Sequence, residues 1–310
     1  MKNINTFFRG QTSLLDWLER VQSQYRRPST ALSYNALKTH LIIYLGNNKK
    51  ARRKRLSHIG PDFCDGFINY LSTARNLRAN NTSRTLAPAT QKKIYTQFES
   101  LFNKAVNAGI LKTDPCKHVA ASAKPRAMSS ERNYLTQEEL IRLKATPCHN
   151  PIVKNAFLFS CYAGLRWSDI KTLDWQDITM NDSRWYIVKR MVKTGEWVFL
   201  PLNDTAFSFL PPRKEIGLVF PLPTPPSANA TIRAWCQVAR ISKKITFHCA
   251  RHTFATLLFT LGADIYTTSQ LLGHKSLSST QVYARVVDEK KNRAVRLLDA
   301  IAPSSIVKKA

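Results

Sequence analysis

Thr246-Phe247-His248-Cys249-Ala250-Arg251-His252, followed by Leu271-Leu272-Gly273-His274 and then Gln281-Val282-Tyr283, is the stretch around which the rest of the chain is arranged. Thr246 is placed to cap a helix whose first turn carries His248 and, one turn on and on the same face, Arg251. A helix start already attracts anions, so an imidazole and a guanidinium there point to a phosphate. The apolar run Phe254 to Leu261 buries the remainder of that helix, and Gly262 ends it. A second short helix from Ile265 closes at Gly273 and delivers His274 to the surface. Ser278 and Gln281 have capping-box spacing, which predicts a third helix with Tyr283 on its first turns. Three helices thus aim His248, Arg251, His274 and Tyr283 at one place.

The ordered pattern His-x-x-Arg-His, Leu-Gly-His and a tyrosine nine residues further on resembles the tyrosine recombinase, or phage integrase, family. In that family the arginines and histidines hold a DNA phosphate while the tyrosine attacks it. Ala250 stands where the family commonly has Leu, a packing change that leaves the reactive groups intact. Upstream, the apolar helical run Ala156 to Tyr162 is broken by Ala163-Gly164-Leu165-Arg166. Gly164 permits a tight turn and sets Arg166 at the start of the next helix, Trp167 to Leu173. Gly-Leu-Arg followed three positions on by an acidic residue belongs to the same family pattern, with Asp169 where Glu is commoner. Trp185 to Val188 and Trp197 to Pro201 are β-rich runs flanking Lys193-Thr194-Gly195, a hairpin with Lys193 at its tip. The resemblance makes that lysine the acid.

The bulk composition agrees. The 310 residues hold 47 Lys and Arg against 20 Asp and Glu, a formal charge of +27 that favours a polyanionic partner, double-stranded DNA first. No long basic amphipathic helix supports a membrane surface instead. Six cysteines without a Cys-x-x-Cys pair argue against a zinc ribbon or a disulfide framework. Met1-Lys2-Asn3-Ile4-Asn5 has no apolar signal core, and no run approaches the length of a membrane span. The expectation is a cytoplasmic, nucleoid-associated protein.

The N-terminal part carries four amphipathic stripes: Leu14 to Tyr25 after Thr12 and Ser13; Tyr34, Leu37, Leu41 and Leu45, ended by Gly46; Phe63, Phe67 and Leu71 after Pro61; and Ile94, Phe98, Leu101 and Ala105 within about 89 to 108, stopped by Gly109. These predict an all-helical domain over residues 1–112. Its start near residue 10 leaves little room for an additional arm-type domain. Between the second and third stripes lie Lys49, Lys50, Arg52, Arg53, Lys54 and Arg55, either a phosphate-contacting loop or a solvated charge run; the global charge selects DNA contact. The segment 113–132, without apolar period, reads as a linker, its basic residues suited to lie on DNA. Thr136 and Glu139 form a capping box that opens a second domain, 133–310. Residues 203 to 230 read as surface connection, and Asn292 to Ile301 as a terminal helix able to join protomers. The fold class is mainly α with a small β-hairpin or sheet. The resemblance gives the plan: a helical core-binding domain and an α+β catalytic domain clamping a duplex.

Strand exchange must break a phosphodiester without losing its energy, so a protein nucleophile takes the phosphate and later returns it. By the resemblance, Tyr283 is that nucleophile, forming a 3′ phosphotyrosyl link. Arg166 and Arg251 clamp the non-bridging oxygens, and Lys193 protonates the departing 5′ oxygen. His248 is general base or proton relay towards Tyr283, and His274 a further phosphate donor. No metal, nucleotide or other cofactor is required, since one diester replaces another. Taken singly, a helix tyrosine is ordinary packing, a turn lysine is solvated, and Arg166 pairs with Asp169. His252 is read as satisfied within the fold. His248 and His252 stand four apart, as zinc ligands do, but Cys249 occupies the place where a metalloprotease needs Glu. The implied function is site-specific DNA recombination by a mobile-element enzyme: integration, excision, inversion or resolution. The implied assembly is a homo-tetramer on paired sites, with an accessory DNA-bending protein as an optional partner. The alternatives are a type IB topoisomerase and a non-catalytic DNA-binding accessory protein.

Overall fold

A computed structural model describes residues 12–25, 28–46, 48–77, 84–127, 132–274 and 276–284. The expected terminal helix, Asn292 to Ile301, lies outside the described residues. The chain divides into two compact units, 1–130 and 131–310.

The first unit is helical because its apolar stripes can bury only against one another. Ser13 caps α1 (Leu14–Ser23) by accepting from the Asp16 N–H, and Leu14, Trp17, Leu18 and Val21 face inward. α2 (Pro28–Leu45) follows, then a single turn α3 (Lys49–Arg52), α4 (Pro61–Thr73) and α5 (Pro88–Asn107). The Trp17 indole donates to the Leu101 carbonyl at 2.9 Å, tying α1 to α5. Phe67 and Phe98 pack with ring centroids 4.7 Å apart, and Phe98 and Phe102 meet edge-on at 4.8 Å. The basic run, expected as a loop, begins instead as the turn α3. Its far end is pinned to the start of α1 by Leu14 N–H to Lys54 O and Leu56 N–H to Thr12 O.

The first part of the segment read as linker packs with this unit. Asp114 caps a 3₁₀ turn over Pro115–His118, and Cys116 and Val119 enter the helical core. A turn this short carries too few apolar residues to set up a period, so a pattern search passes over it.

In the second unit, Thr136 and Glu139 form the expected reciprocal cap on α6 (Gln137–Ala145). The apolar α7 (Pro151–Ala163) runs through the core against α10 (Pro225–Val238) and α11 (Phe247–Thr260). α8 (Trp167–Lys171) leads to an antiparallel sheet in the order β1 (Ile178–Asn181), β2 (Arg184–Arg190), β3 (Trp197–Pro201). Ile178 pairs with Ile187, and Ile187 with Leu200, all three buried. The expected hairpin is β2–β3; β1 adds a strand that the pattern did not reveal. It contributes one inward side chain and turns through Asp182 and Ser183, both at positive φ, a tight-hairpin geometry usually signalled by Asn-Gly.

The stretch 203–230 is not all surface. It holds α9 (Asp204–Phe207), buries Phe209, Val219 and Phe220, and passes into α10 at Pro225. α12 (Ile265–Leu271) and α13 (Ser278–Ala284) complete the described chain. No helix among the described residues is long and apolar enough to cross a membrane.

The turn after α7 is closely packed. Gly164 sits at φ +70°, its N–H bonds Ser160 O at 2.9 Å, and the Ser160 hydroxyl bonds Leu165 O at 2.8 Å. A Cβ there would collide with the Phe254 ring. Gly164→Ala is therefore expected to destabilise the second unit by roughly 2 kcal/mol or more through left-handed strain and overpacking. Urea unfolding checks this; an unchanged midpoint would mean that the turn relaxes freely.

Candidate functional site

α11 is built to bring its first two turns to the site. Its opening N–H, on Phe247, donates to Asn229 Oδ1 at 2.8 Å, and Thr246 N–H donates to Cys249 Sγ at 3.3 Å. Thr246 takes the expected N-cap position and forms a reciprocal capping box with Cys249, while Asn229 of α10 satisfies the Phe247 N–H. Arg251 lies one turn along and is 1% exposed. Its Nη1 donates to Gly164 O at 2.8 Å and its Nη2 to Leu272 O, so it clips the ends of α7 and α12 together. Burial, then the neighbouring Arg166, hold its guanidinium down to about 9.

Arg166 takes the N-cap position of α8 and is half-buried with Nη1 unpartnered. Burial lowers its affinity for its proton, while Asp169 and Tyr283 act the other way. Asp169 is fully buried. Its Oδ1 accepts from the Val192 N–H at 2.8 Å, which fixes the β2–β3 turn beside α8. The turn closes through Gly195 N–H to Met191 O and Met191 N–H to Glu196 O, both 2.8 Å. Lys193 sits within it and acts as a nearby cation on both His248 and His274.

His274 follows Gly273, whose positive φ and paired N–H bonds end α12 in a Schellman turn. Its Nδ1 lies 2.7 Å from Thr280 Oγ1, which leaves Nε2 for a ligand. Burial, followed by Arg251 and Arg166, pushes it down to about 4. His248 is lowered by burial and by Arg251, Arg166, Lys193 and Arg132. Among the described residues no group of three or more His, Cys, Asp and Glu gathers as a metal site.

Tyr283 rides on α13 and is 4% exposed, packed against Phe254, Phe259 and Leu272. The expected Ser278–Gln281 cap is replaced by Ser276, whose hydroxyl accepts from the Ser278 N–H. The Tyr283 hydroxyl meets His252 Nδ1 at 2.7 Å and Arg132 Nη1 at 3.3 Å. The histidine in contact with the tyrosine is thus His252, read from sequence as structural, while His248 packs edge-on against His252 with centroids 4.6 Å apart. Burial and then His248 push His252 down to about 3. Its position next to Arg251 was a visible signal; Arg132, 151 residues from Tyr283, gave none.

Arg166, Lys193, His248, Arg251, His274 and Tyr283 therefore converge in the second unit. The basic run does not belong to this cluster. In the first unit, Arg52, Arg53 and Arg55 are exposed and the Lys54 ammonium lies 5.1 Å from the Phe63 ring centroid. Arg53, Lys54 and Arg55 line a cleft of about 990 Å³ with Tyr44, Asn48, His58 and Phe63. The side chains of Lys49 and Lys50 lie outside the described residues.

The cluster is a cationic pocket around a tyrosine, a setting suited to an anion, and comparison with known proteins gives the family. The family model described as the phage integrase family matches residues 133–290, and that of the phage integrase SAM-like domain matches 13–121. A tyrosine recombinase of Thermosipho africanus is 27% identical over 269 residues, covering 81% of this chain and 91% of that relative. Tyrosine recombinase XerD of Vibrio cholerae is 24% identical over 292 residues, covering 88% and 90%. Among solved structures, a lambda integrase dimer bound to a COC′ core site superposes with a TM-score of 0.64 at 18% identity, covering 88% of this chain and 95% of that one. XerH recombinase bound to a palindromic difH substrate gives 0.64 at 17% identity, covering 91% and 84%. The chain belongs to the phage integrase family. It is a tyrosine recombinase, an enzyme of site-specific DNA recombination through a tyrosine-linked intermediate.

His252 and His274 are neutral when folded, with values near 3 and 4 against an ordinary 6.5. In that window the unfolded chain binds more protons than the folded one, so stability is full above about pH 6.5 and falls as pH drops through the window. Urea unfolding at pH 7.5 and pH 5 is expected to show a loss of roughly 1 to 2 kcal/mol per histidine. His274→Asn should flatten the dependence; an equally steep profile would place the titration elsewhere.

Proposed function

We propose that Tyr283 attacks a scissile DNA phosphate, forming a 3′ phosphotyrosyl bond and releasing a 5′ hydroxyl. The observation that carries this is the convergence of Arg166, Arg251, Lys193 and His274 on the surroundings of a tyrosine hydroxyl, with Asp169 buried and already engaged by Val192. Arg166, with Nη1 unpartnered, offers paired donors to the non-bridging oxygens, and Arg251 adds charge from beneath. His274 donates from Nε2. Lys193 delivers a proton to the departing 5′ oxygen, which is too basic to leave as alkoxide. His248, in the first turn of α11, relays protons on the phosphate side. No metal or nucleotide enters the balance, because the diester energy is stored in the phosphotyrosyl link.

The helical unit, 1–130, is read as the part that grips the duplex, with Arg52, Arg53, Lys54 and Arg55 on the backbone. Exchange of two duplexes needs four cleavages and each chain supplies one Tyr283, so four protomers on two sites is the working assembly. A lambda integrase tetramer bound to a Holliday junction supports that reading by fold. The protein acts in the cytoplasm on nucleoid DNA, as its likeness to bacterial recombinases suggests, with an accessory DNA-bending protein as an optional partner.

Denaturing the full chain after incubation with host genomic DNA is expected to trap a covalent adduct, and sequencing the attached DNA gives the target site. Tyr283→Phe should bind that DNA and form no adduct; an adduct would remove Tyr283 as sole nucleophile. Lys193→Ala should cleave ordinary DNA slowly and recover on DNA with sulfur at the 5′ bridging position, because a thiolate leaves without a proton. Absence of that recovery would remove Lys193 as the acid. Relaxation of supercoils without exchange would turn the reading to a type IB topoisomerase.

Replacing Arg52, Arg53 and Arg55 by Ala should reduce the slope of log affinity against log salt by up to about 3, near one counterion per lost phosphate contact. An unchanged slope would mean that the run is only solvated.

A further inference from the structure

The Tyr283 hydroxyl has two polar neighbours, and their chemistry is complementary. Arginine carries only donors, so Arg132 Nη1 at 3.3 Å donates to the phenolic oxygen. With the phenolic proton pointed at His252 Nδ1, 2.7 Å away, the imidazole nitrogen accepts it. This assignment places the imidazole N–H on Nε2. The Arg132 guanidinium also lies over the phenol ring, 5.4 Å from its centroid, so both the oxygen and the π system feel its charge. His252 is 8% exposed and its ring lies 5.4 Å from that of Tyr283, so the contact is shielded from water.

We infer that Arg132 and His252 are the activating pair of the nucleophile: His252 Nδ1 takes the Tyr283 proton while Arg132 holds the developing phenolate. This rests on the reading of Tyr283 as the attacking group and deepens it. The step balances. The O–H bond of Tyr283 breaks and its proton passes to His252; the phenolate oxygen bonds phosphorus; the bond from phosphorus to the 5′ oxygen breaks, and that oxygen takes a proton from Lys193. Religation runs the same transfers backwards, the 5′ hydroxyl returning its proton to Lys193 and Tyr283 recovering its own from His252. Both residues touch the reacting oxygen and are catalytic residues in that sense. His252 presents Nδ1 to the hydroxyl at 2.7 Å, the geometry that a proton transfer needs.

The test uses the full chain and a synthetic duplex built around the 3′ ends recovered from wild-type adducts, made once with an ordinary phosphodiester and once with 5′ bridging sulfur. DNA affinity and single-turnover adduct formation are measured on each. Arg132→Gln is expected to bind the duplex within about twofold of wild type and to form adduct roughly 10-fold more slowly, with Arg132→Lys regaining part of the loss. His252→Gln is expected to slow the adduct by about 10²-fold. Neither defect should recover with the sulfur substrate, since sulfur replaces the acid and leaves the nucleophile's needs unchanged; the Lys193→Ala defect should. Wild-type rates for Arg132→Gln at saturating DNA, a faster adduct, or recovery on sulfur would each overturn the pair. Failure of the wild-type chain to form any adduct would overturn the underlying reading instead.

Discussion

A guanidinium that is 1% exposed needs oxygen partners, and Arg251 finds two in the carbonyls of Gly164 and Leu272. Those carbonyls close α7 and α12, and the arginine itself belongs to α11. One buried cation thus registers the three elements that carry the site. The turn that begins at Gly164 also delivers Arg166, the turn that follows Leu272 delivers His274, and α11 delivers His248 and His252. Carbonyl dipoles stabilise the charge without neutralising it, while burial and then Arg166 hold the guanidinium down to about 9.

The hairpin is joined to this frame by a different device. Asp169 is buried on α8 beside Arg166, yet one of its oxygens is committed to the Val192 N–H in the β2–β3 turn. A carboxylate used in this way does two things. It balances part of the charge of Arg166, and it fixes the backbone from which Lys193 projects. Arg166 and Lys193 are thereby positioned by one side chain, although they lie on elements separated by two strands.

The sequence was informative wherever a feature repeats along one element or rests on a turn that needs a particular residue. The helical stripes of the first unit, the cap at Thr136, the break at Gly164 and the helix ends at Gly262 and Gly273 all belong to that kind. What escaped was short or distant. The Asp114 turn has no period, β1 turns through Asp182-Ser183 without Asn-Gly, and Phe209, Val219 and Phe220 bury singly out of a Pro-rich stretch. Within the site, the residues of the ordered motif could be picked out individually, whereas their contacts could not. Nothing in the spacing of His248 and His252 says which ring reaches α13. Helix rotation decides it, and the side chain one position beyond Arg251 is the one that faces Tyr283.

The cations of the pocket also settle how its histidines can act. Burial would lower an imidazole alone, but Arg251, Arg166, Lys193 and Arg132 add to it at both His248 and His274, and Arg132 and Arg251 do so at His252. Each histidine is thereby kept neutral at ordinary pH, with one ring nitrogen donating and the other accepting. The same charges that would oppose protonation of a histidine would stabilise negative charge on phosphorus oxygens and on a phenolate. A pocket of this kind does not have to choose between holding an anion and keeping a base free, because one field serves both. When a phosphate enters, its charge offsets that field and raises the proton affinity of the neighbouring imidazoles.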